Sequence, residues 1–137
     1  MVLRAVASFF SMMCHAYGVF SDDVDPREVG RRWLRKDAYM VERALAARRE
    51  LGDDAFLDVH YEDLMKDPEG QMRRIYEFLG RPFADAAAAR VRAWLAANPQ
   101  HKHGRHRYDL AHFGLERAEV DRAFADYRER FDIAPEK

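Results

Sequence analysis

The fold of this chain is decided by the stretch AFLDVHYEDLMKDPEGQMRRIYEFLG, residues 55–80. Its first six residues are mostly apolar and β-favouring and follow a Gly-Asp-Asp turn, so they predict a short strand. Further along, Asp67 predicts a helix N-cap, with Pro68 at the first helical position and Gly80 just past the last turn. The stretch therefore predicts a strand followed closely by a helix.

Apolar residues elsewhere in the chain recur at helical spacing. The spacing predicts five helices, at about residues 3–18, 26–51, 68–79, 85–97 and 116–131. In the first helix the predicted core face comprises Val6, Phe9, Phe10, Met13, Tyr17 and Phe20, and the opposite, polar stripe comprises Arg4, Ser8, Ser11 and His15. Trp94 is expected to be buried by the fourth helix. The fold class predicted is mainly α with one or two short strands.

A single strand among five helices would leave its backbone N–H and C=O groups unpaired. Either a second strand lies in a segment that the spacing assigns to a helix, or the strand belongs to a sheet that this chain does not supply. The opening residues Met1-Val2-Leu3 already fit a helix, as in a chain entered midway. We therefore expect residues 1–137 to form a single but partial domain.

Composition excludes several classes of protein. The chain has 137 residues, of which 48% are hydrophobic, and it contains no run of about 18 apolar residues that could span a membrane. No small-residue cleavage site follows the apolar N-terminal segment, so we expect a cytoplasmic protein. A net charge of -1 argues against general nucleic-acid binding. The lone Cys14 has no disulfide partner within the chain and is expected to pack in the core.

Positive charge is concentrated in one loop, His101-Lys102-His103-Gly104-Arg105-His106-Arg107-Tyr108, here called the basic loop. Residues 86–108 contain five Lys or Arg and no Asp or Glu. Guanidinium groups and the backbone N–H groups beside a glycine suit the oxygens of phosphate or sulfate. The loop therefore predicts a local anion site, with a solvated charged loop as the alternative.

Other chemistry finds less support in the sequence. The three loop histidines, His101, His103 and His106, have a spacing that permits zinc, but the neighbouring cations would repel it, so no metal is expected. Glu62 and Asp63 could act in acid–base catalysis or simply stabilise a turn. No GxxxxGK[ST] nucleotide loop occurs, and no catalytic triad can be assembled.

Three segments, in order along the chain, resemble signatures of bacterial sulfotransferases. The stretch from Phe56 to Gly80 is similar to the family's "YEDL…DP…IYxFLG" signature, and Lys102 to Leu115 resembles its "K-H-x-Y-x-L-x-x-F-G-L" run. The segment from Val6 to Met13, with Phe20 to Pro26 after it, resembles the helix that follows the family's "RDP" motif. Together the three segments cover nearly the whole chain.

This resemblance implies sulfuryl transfer from 3'-phosphoadenosine-5'-phosphosulfate to a hydroxyl or amine acceptor. The implied fold is the C-terminal part of an α/β, P-loop-like sulfotransferase fold, whose parallel sheet is flanked by helices. Ser8 matches the serine that contacts the donor's 3'-phosphate. The basic loop matches the element that closes over the donor, which makes Lys102, Gly104, Arg105 and Arg107 candidates for phosphate contact.

Other parts of the family pattern are missing from this sequence. It has no phosphosulfate loop and no recognisable catalytic base, so the resemblance implies an N-terminally truncated chain, inactive alone. The partners implied are the nucleotide donor and an unidentified acceptor. The alternative is a non-catalytic helical interaction module or degenerate remnant that self-associates through an exposed sheet edge.

Overall fold

The computed structural model describes residues 2–99, 109–134 and 136 of the chain. These residues are mainly helical, as predicted. The α-helices are α1 (Val2–Gly18), α2 (Pro26–Leu51), α3 (Tyr61–Lys66), α4 (Pro68–Phe78), α5 (Asp85–Ala97), α6 (Arg117–Ala123) and α7 (Ala125–Arg130), and two short 3-10 helices span Asp53–Ala55 and Leu110–Phe113.

The chain divides into two compact units. The first contains Met1–Glu50 and His106–Lys137, and the second contains Leu51–Arg105. That the chain is a single domain stays a prediction.

Helices α1, α2 and α6 and the 3-10 helix Leu110–Phe113 supply the core of the first unit. Its buried apolar members are Val6, Ala7, Phe10, Leu34, Phe113, Leu115, Val120 and Phe124. Phe10 is fully buried, and the edge of its ring meets the ring of Phe113, with the ring centroids 5.8 Å apart. This contact fixes the rotation of α1 about its axis, because Phe10 can be buried only when the same face of the helix points inward.

The second unit contains α3, α4 and α5. The Asp67 carboxylate accepts the Gly70 N–H at 2.9 Å, and α4 begins at Pro68, as predicted. Past the end of α4, Gly80 adopts a left-handed φ of 63°, which glycine tolerates without strain. Arg92 on α5 donates to the Glu69 carboxylate at 2.6 Å, which links α5 to the start of α4.

The predicted strand at residues 55–60 is wrong. The backbone is extended at Phe56 (φ -128°, ψ 143°), but the described residues contain no β-strand and so no ladder. The sequence pattern reports only a local preference for extended backbone. A β-strand also needs a second strand to pair with, and the described residues supply none. The described residues form no sheet edge. Self-association of the chain through such an edge therefore stays a prediction.

Three further expectations need correction. The predicted final helix over 116–131 is interrupted at Phe124 (φ -118°, ψ 20°), which separates α6 from α7. Helix α3 follows directly on the extended segment, where no helix was predicted. Phe20 and Trp94, both expected to be buried, are 89% and 64% exposed.

Candidate functional site

Helix α1 positions Ser8, the predicted contact for the donor's 3'-phosphate. The helix buries Val6, Ala7 and Phe10, which leaves Ser8 half-buried at the margin of the core. Within the described residues, no hydrogen bond occupies the Ser8 hydroxyl. That hydroxyl is therefore available to donate to an oxygen of a ligand.

The first turn of α1 already holds an anionic group. Leu3 donates its backbone N–H to Oε1 of Glu136 at 2.7 Å, and Nε of Arg4 lies 3.7 Å from Oε2 of the same carboxylate. The turn contains no acidic residue of its own. Arg4 lies one helical turn before Ser8, so a guanidinium and a hydroxyl share one stripe of α1.

The C-terminal half of that stripe is arranged differently. His15 donates from Nδ1 to the backbone carbonyl of Ser11 at 2.7 Å, since a carbonyl oxygen can only accept. This contact occupies one nitrogen of an exposed imidazole in a local bond along the helix. Among the described residues of α1, contacts with a carboxylate therefore occur only in its N-terminal half.

The basic loop lies outside the described residues, including the predicted contacts Lys102, Gly104, Arg105 and Arg107. The segment after it is anchored in the first unit. Asp109 accepts the Ala111 N–H at 3.0 Å and caps the 3-10 helix that carries the buried Phe113. Gly114 follows with a left-handed φ of 64°, and the N–H of Leu115 bonds the carbonyl of Leu110 at 3.1 Å. Phe113 and Leu115, which belong to the resemblance, are thus core residues.

The carboxylates of Glu62 and Asp63 lie in the first turn of α3 and are exposed. At that position their negative charge stabilises the N-terminal end of the helix. The structure thus accounts for both without a catalytic role. The described residues contain no cluster of three potential metal ligands; the three loop histidines lie outside them.

Sequence reasoning assigned no site role to Arg4 or Glu136. The i, i+4 spacing of Arg4 and Ser8 was visible in the predicted polar stripe. The contact of Glu136 with α1 joins residues 133 positions apart, and no local pattern signals it. Among the described helices, none is both long and apolar enough to cross a membrane.

Residues 1–85 match the family described as "Sulfotransferase family". That match ends before the basic loop begins.

Individual relatives agree with this match. The chain is 34% identical over 90 residues to the omega-hydroxy-beta-dihydromenaquinone-9 sulfotransferases of Mycobacterium bovis and Mycobacterium tuberculosis, a region covering 65% of this chain and 22% of each relative. It also resembles the crystal structure of sulfotransferase STF9 from Mycobacterium avium, with a TM-score of 0.83 and 33% identity over 95% of this chain and 34% of that one. The chain thus spans a minor part of the length of these relatives.

Proposed function

The chain belongs to the sulfotransferase family, and from this premise we propose that it contributes to sulfuryl transfer from 3'-phosphoadenosine-5'-phosphosulfate to a hydroxyl or amine acceptor. Its part in that reaction is to hold the donor. Ser8 on α1 contacts the 3'-phosphate, and the basic loop supplies further contacts through Lys102, Gly104, Arg105 and Arg107.

The observation that carries this proposal is the carboxylate held at the first turn of α1. Leu3 and Arg4 both contact Glu136, at 2.7 Å and 3.7 Å, on the same helix as Ser8. A phosphate offers the same kind of oxygen acceptor with more negative charge. A segment of α1 that contacts a carboxylate through Leu3 and Arg4 is therefore suited to a phosphate ester.

Sulfuryl transfer asks mainly for positioning and charge stabilisation from the protein. Each charge-assisted hydrogen bond to the nucleotide contributes roughly 1.5–3 kcal/mol before desolvation is subtracted. The sequence has no phosphosulfate-loop pattern, so the residues named here amount to part of a donor site. We expect weak, salt-sensitive nucleotide binding by this chain and no sulfuryl transfer by it alone.

Titration calorimetry with 3'-phosphoadenosine-5'-phosphate tests the proposal, and adenosine-5'-phosphate is the matched ligand without the 3'-phosphate. The 3'-phosphorylated nucleotide is expected to bind more tightly. Ser8→Ala should weaken its binding about threefold to tenfold, the effect of one lost hydrogen bond. Ser11→Ala is the control, because Ser11 lies on the same stripe but its backbone carbonyl, not its hydroxyl, makes the observed contact.

Variants of the basic loop test the second half of the proposal. Arg105→Ala and Arg107→Ala are expected to weaken binding several-fold, whereas Glu62→Ala, an exposed change in α3, should leave it unchanged. Equal affinity for the two nucleotides, or binding indifferent to Ser8 and both arginines, would remove the donor-binding role.

Exposed apolar side chains favour a second candidate, a non-catalytic interaction module. In the first unit Met12, Phe20 and Tyr39 are 57%, 89% and 62% exposed. A contiguous patch of such residues would mark a surface that binds a partner. Light scattering at several concentrations, combined with the calorimetry, separates the two candidates: self-association without nucleotide binding supports the module.

A further inference from the structure

A cavity of about 240 Å³ opens beside the turn that joins α1 to α2. Part of its wall is apolar and comes from Tyr17 at the end of α1 and from Phe20 and Val24 in the turn. The volume lies below the roughly 300 Å³ at which sites for drug-sized ligands begin. The cavity therefore suits one small headgroup or ring.

The aromatic part of this wall is held in place by hydrogen bonding and packing. Trp33 on α2 donates its indole N–H to the Tyr17 hydroxyl at 3.1 Å. The Trp33 ring also contacts the Phe9 ring edge to face, with the ring centroids 5.0 Å apart. Phe20, by contrast, is 89% exposed at the cavity, where a ligand would cover it.

The charge around the cavity is negative. Its lining residues include three acidic ones, Asp23, Asp25 and Glu28, and one basic one, Arg32. Glu28 and Arg32 pair with each other at 2.6 Å, so their charges largely cancel. The Asp23 carboxylate has no hydrogen bond or ion pair among the described residues, and that of Asp25 accepts only the uncharged N–H of Arg27, at 2.8 Å.

Asp23 and Asp25 form no ion pair among the described residues, so they give the lining residues a negative formal charge. The N-terminus of α2 lies here and carries a positive partial charge of roughly half a unit. The remaining negative potential repels phosphate or sulfate and attracts a cation. Aromatic faces beside carboxylates are the usual surroundings of bound ammonium groups.

We propose that this cavity is a binding site for a small organic cation, an ammonium group attached to an apolar or aromatic body. Asp23 and Asp25 supply the charge, and Tyr17 and Phe20 supply the aromatic faces. The site is independent of the donor assignment, since it excludes anions. Only the further step, that such a cation is a sulfuryl acceptor, rests on the proposed function.

The test uses phenethylammonium as the probe and 3-phenylpropionate as an anion of similar size, without nucleotide. Amide and indole N–H signals are followed by ¹H–¹⁵N NMR, with the Trp33 indole N–H as the reporter beside Tyr17. The cation is expected to give saturable shifts at this signal and the anion none. Asp23→Asn and Phe20→Ala should each weaken the cation's binding about fivefold.

Asp22→Asn is the matched control, because it removes the same charge from the neighbouring position, which does not line the cavity. Unchanged binding in this variant supports the site. Equal weakening by the changes at Asp22 and Asp23 would overturn it in favour of a diffuse surface field, as would equal shifts from both probes or the absence of saturation. None of these outcomes depends on nucleotide binding, so the test is separate from that of the proposed function.

Discussion

The backbone carbonyl oxygen of Phe113 lies 2.5 Å from the point where a Cβ atom on Gly30 would stand. The Cβ atom of Phe113 is 2.8 Å from the same point. No side chain fits at such distances, so Gly30 permits α2 to approach the segment that follows the basic loop. Phe113 is itself buried, and its ring contacts that of Phe10.

Gly30→Ala is therefore expected to destabilise the chain by about 1–3 kcal/mol, because backbone atoms must move to relieve the overlap. Urea unfolding followed by circular dichroism measures the change. Gly18→Ala is the control, since nothing lies within 4 Å of an added Cβ at that position. A Gly30→Ala variant as stable as Gly18→Ala would mean that the two segments are not in contact in solution.

Asp37 predicts a dependence of stability on pH. Its Oδ1 atom is buried without a hydrogen-bond partner among the described residues, and burial raises the pKa of this carboxyl from 3.8 to about 6. The folded state therefore binds a proton more readily than the unfolded state. The contribution of Asp37 to the free energy of unfolding falls as pH rises from about 4 to 6 and stays low above that range.

Asp37→Asn should accordingly stabilise the chain at pH 7.5, by about 1 kcal/mol for a partly screened group. The gain should disappear near pH 3, below the unfolded-state pKa of 3.8, where the aspartate is largely protonated in both states. Thermal unfolding at the two pH values measures it. Glu42→Gln, an exposed change on the same helix, should give no comparable gain; an equal gain would point to net charge as the cause.

Cys14 gives a chemical reporter for the α1–α2 turn. Burial, and then the negative charge of Asp25, raise the pKa of its thiol above the usual value. Only the thiolate reacts with alkylating reagents, so the reaction should be slow at pH 8. Asp25→Asn, which retains a side chain able to cap α2, should lower that pKa and speed alkylation by iodoacetamide about twofold.

Asp22→Asn provides the comparison for the cysteine measurement, because Asp22 is not among the causes of the raised pKa. Equal acceleration by the two variants would show that the turn as a whole, rather than Asp25, acts on the thiol.

Local rules predicted the parts of the fold that depend on neighbouring residues. Asp67, Pro68 and Gly80 bound α4 as capping chemistry requires, because each acts on backbone groups within a few positions. The break at Phe124 carried no such signal, since no glycine or proline is near it. Phe124 is 4% exposed, which is a tertiary effect, and Arg128 pairs with Asp121 across the break.

In the candidate site, too, some features follow from local sequence patterns and others depend on tertiary packing. Ser8 and the stripe that contains it follow from helical spacing, but its neighbour Arg4 acquires a role only through Glu136, far away in the sequence. The burial of Asp37 and the exposure of Phe20 are likewise consequences of packing that no local pattern reports. The sequence could therefore predict the helix that carries Ser8 and its polar stripe, but not what contacts the first turn of that helix.

Glu136 is expected to compete with the nucleotide. Its carboxylate contacts Leu3 and Arg4, the groups proposed to favour an anion at the start of α1. Glu136→Gln removes the negative charge, so the affinity for 3'-phosphoadenosine-5'-phosphate should rise. Because the Arg4 side chain is 83% exposed and solvent screens the interaction, the gain should be about twofold to fivefold.

Titration calorimetry at two salt concentrations measures the Glu136→Gln effect, which should be larger at low salt. Glu129→Gln on α7 is the control, an exposed change that removes the same charge. If Glu136 competes with the nucleotide, Glu136→Gln should raise the affinity for 3'-phosphoadenosine-5'-phosphate and Glu129→Gln should not. An equal rise in both variants would assign it to net charge, and weaker binding by Glu136→Gln would show that this contact supports the α1 terminus rather than blocking it.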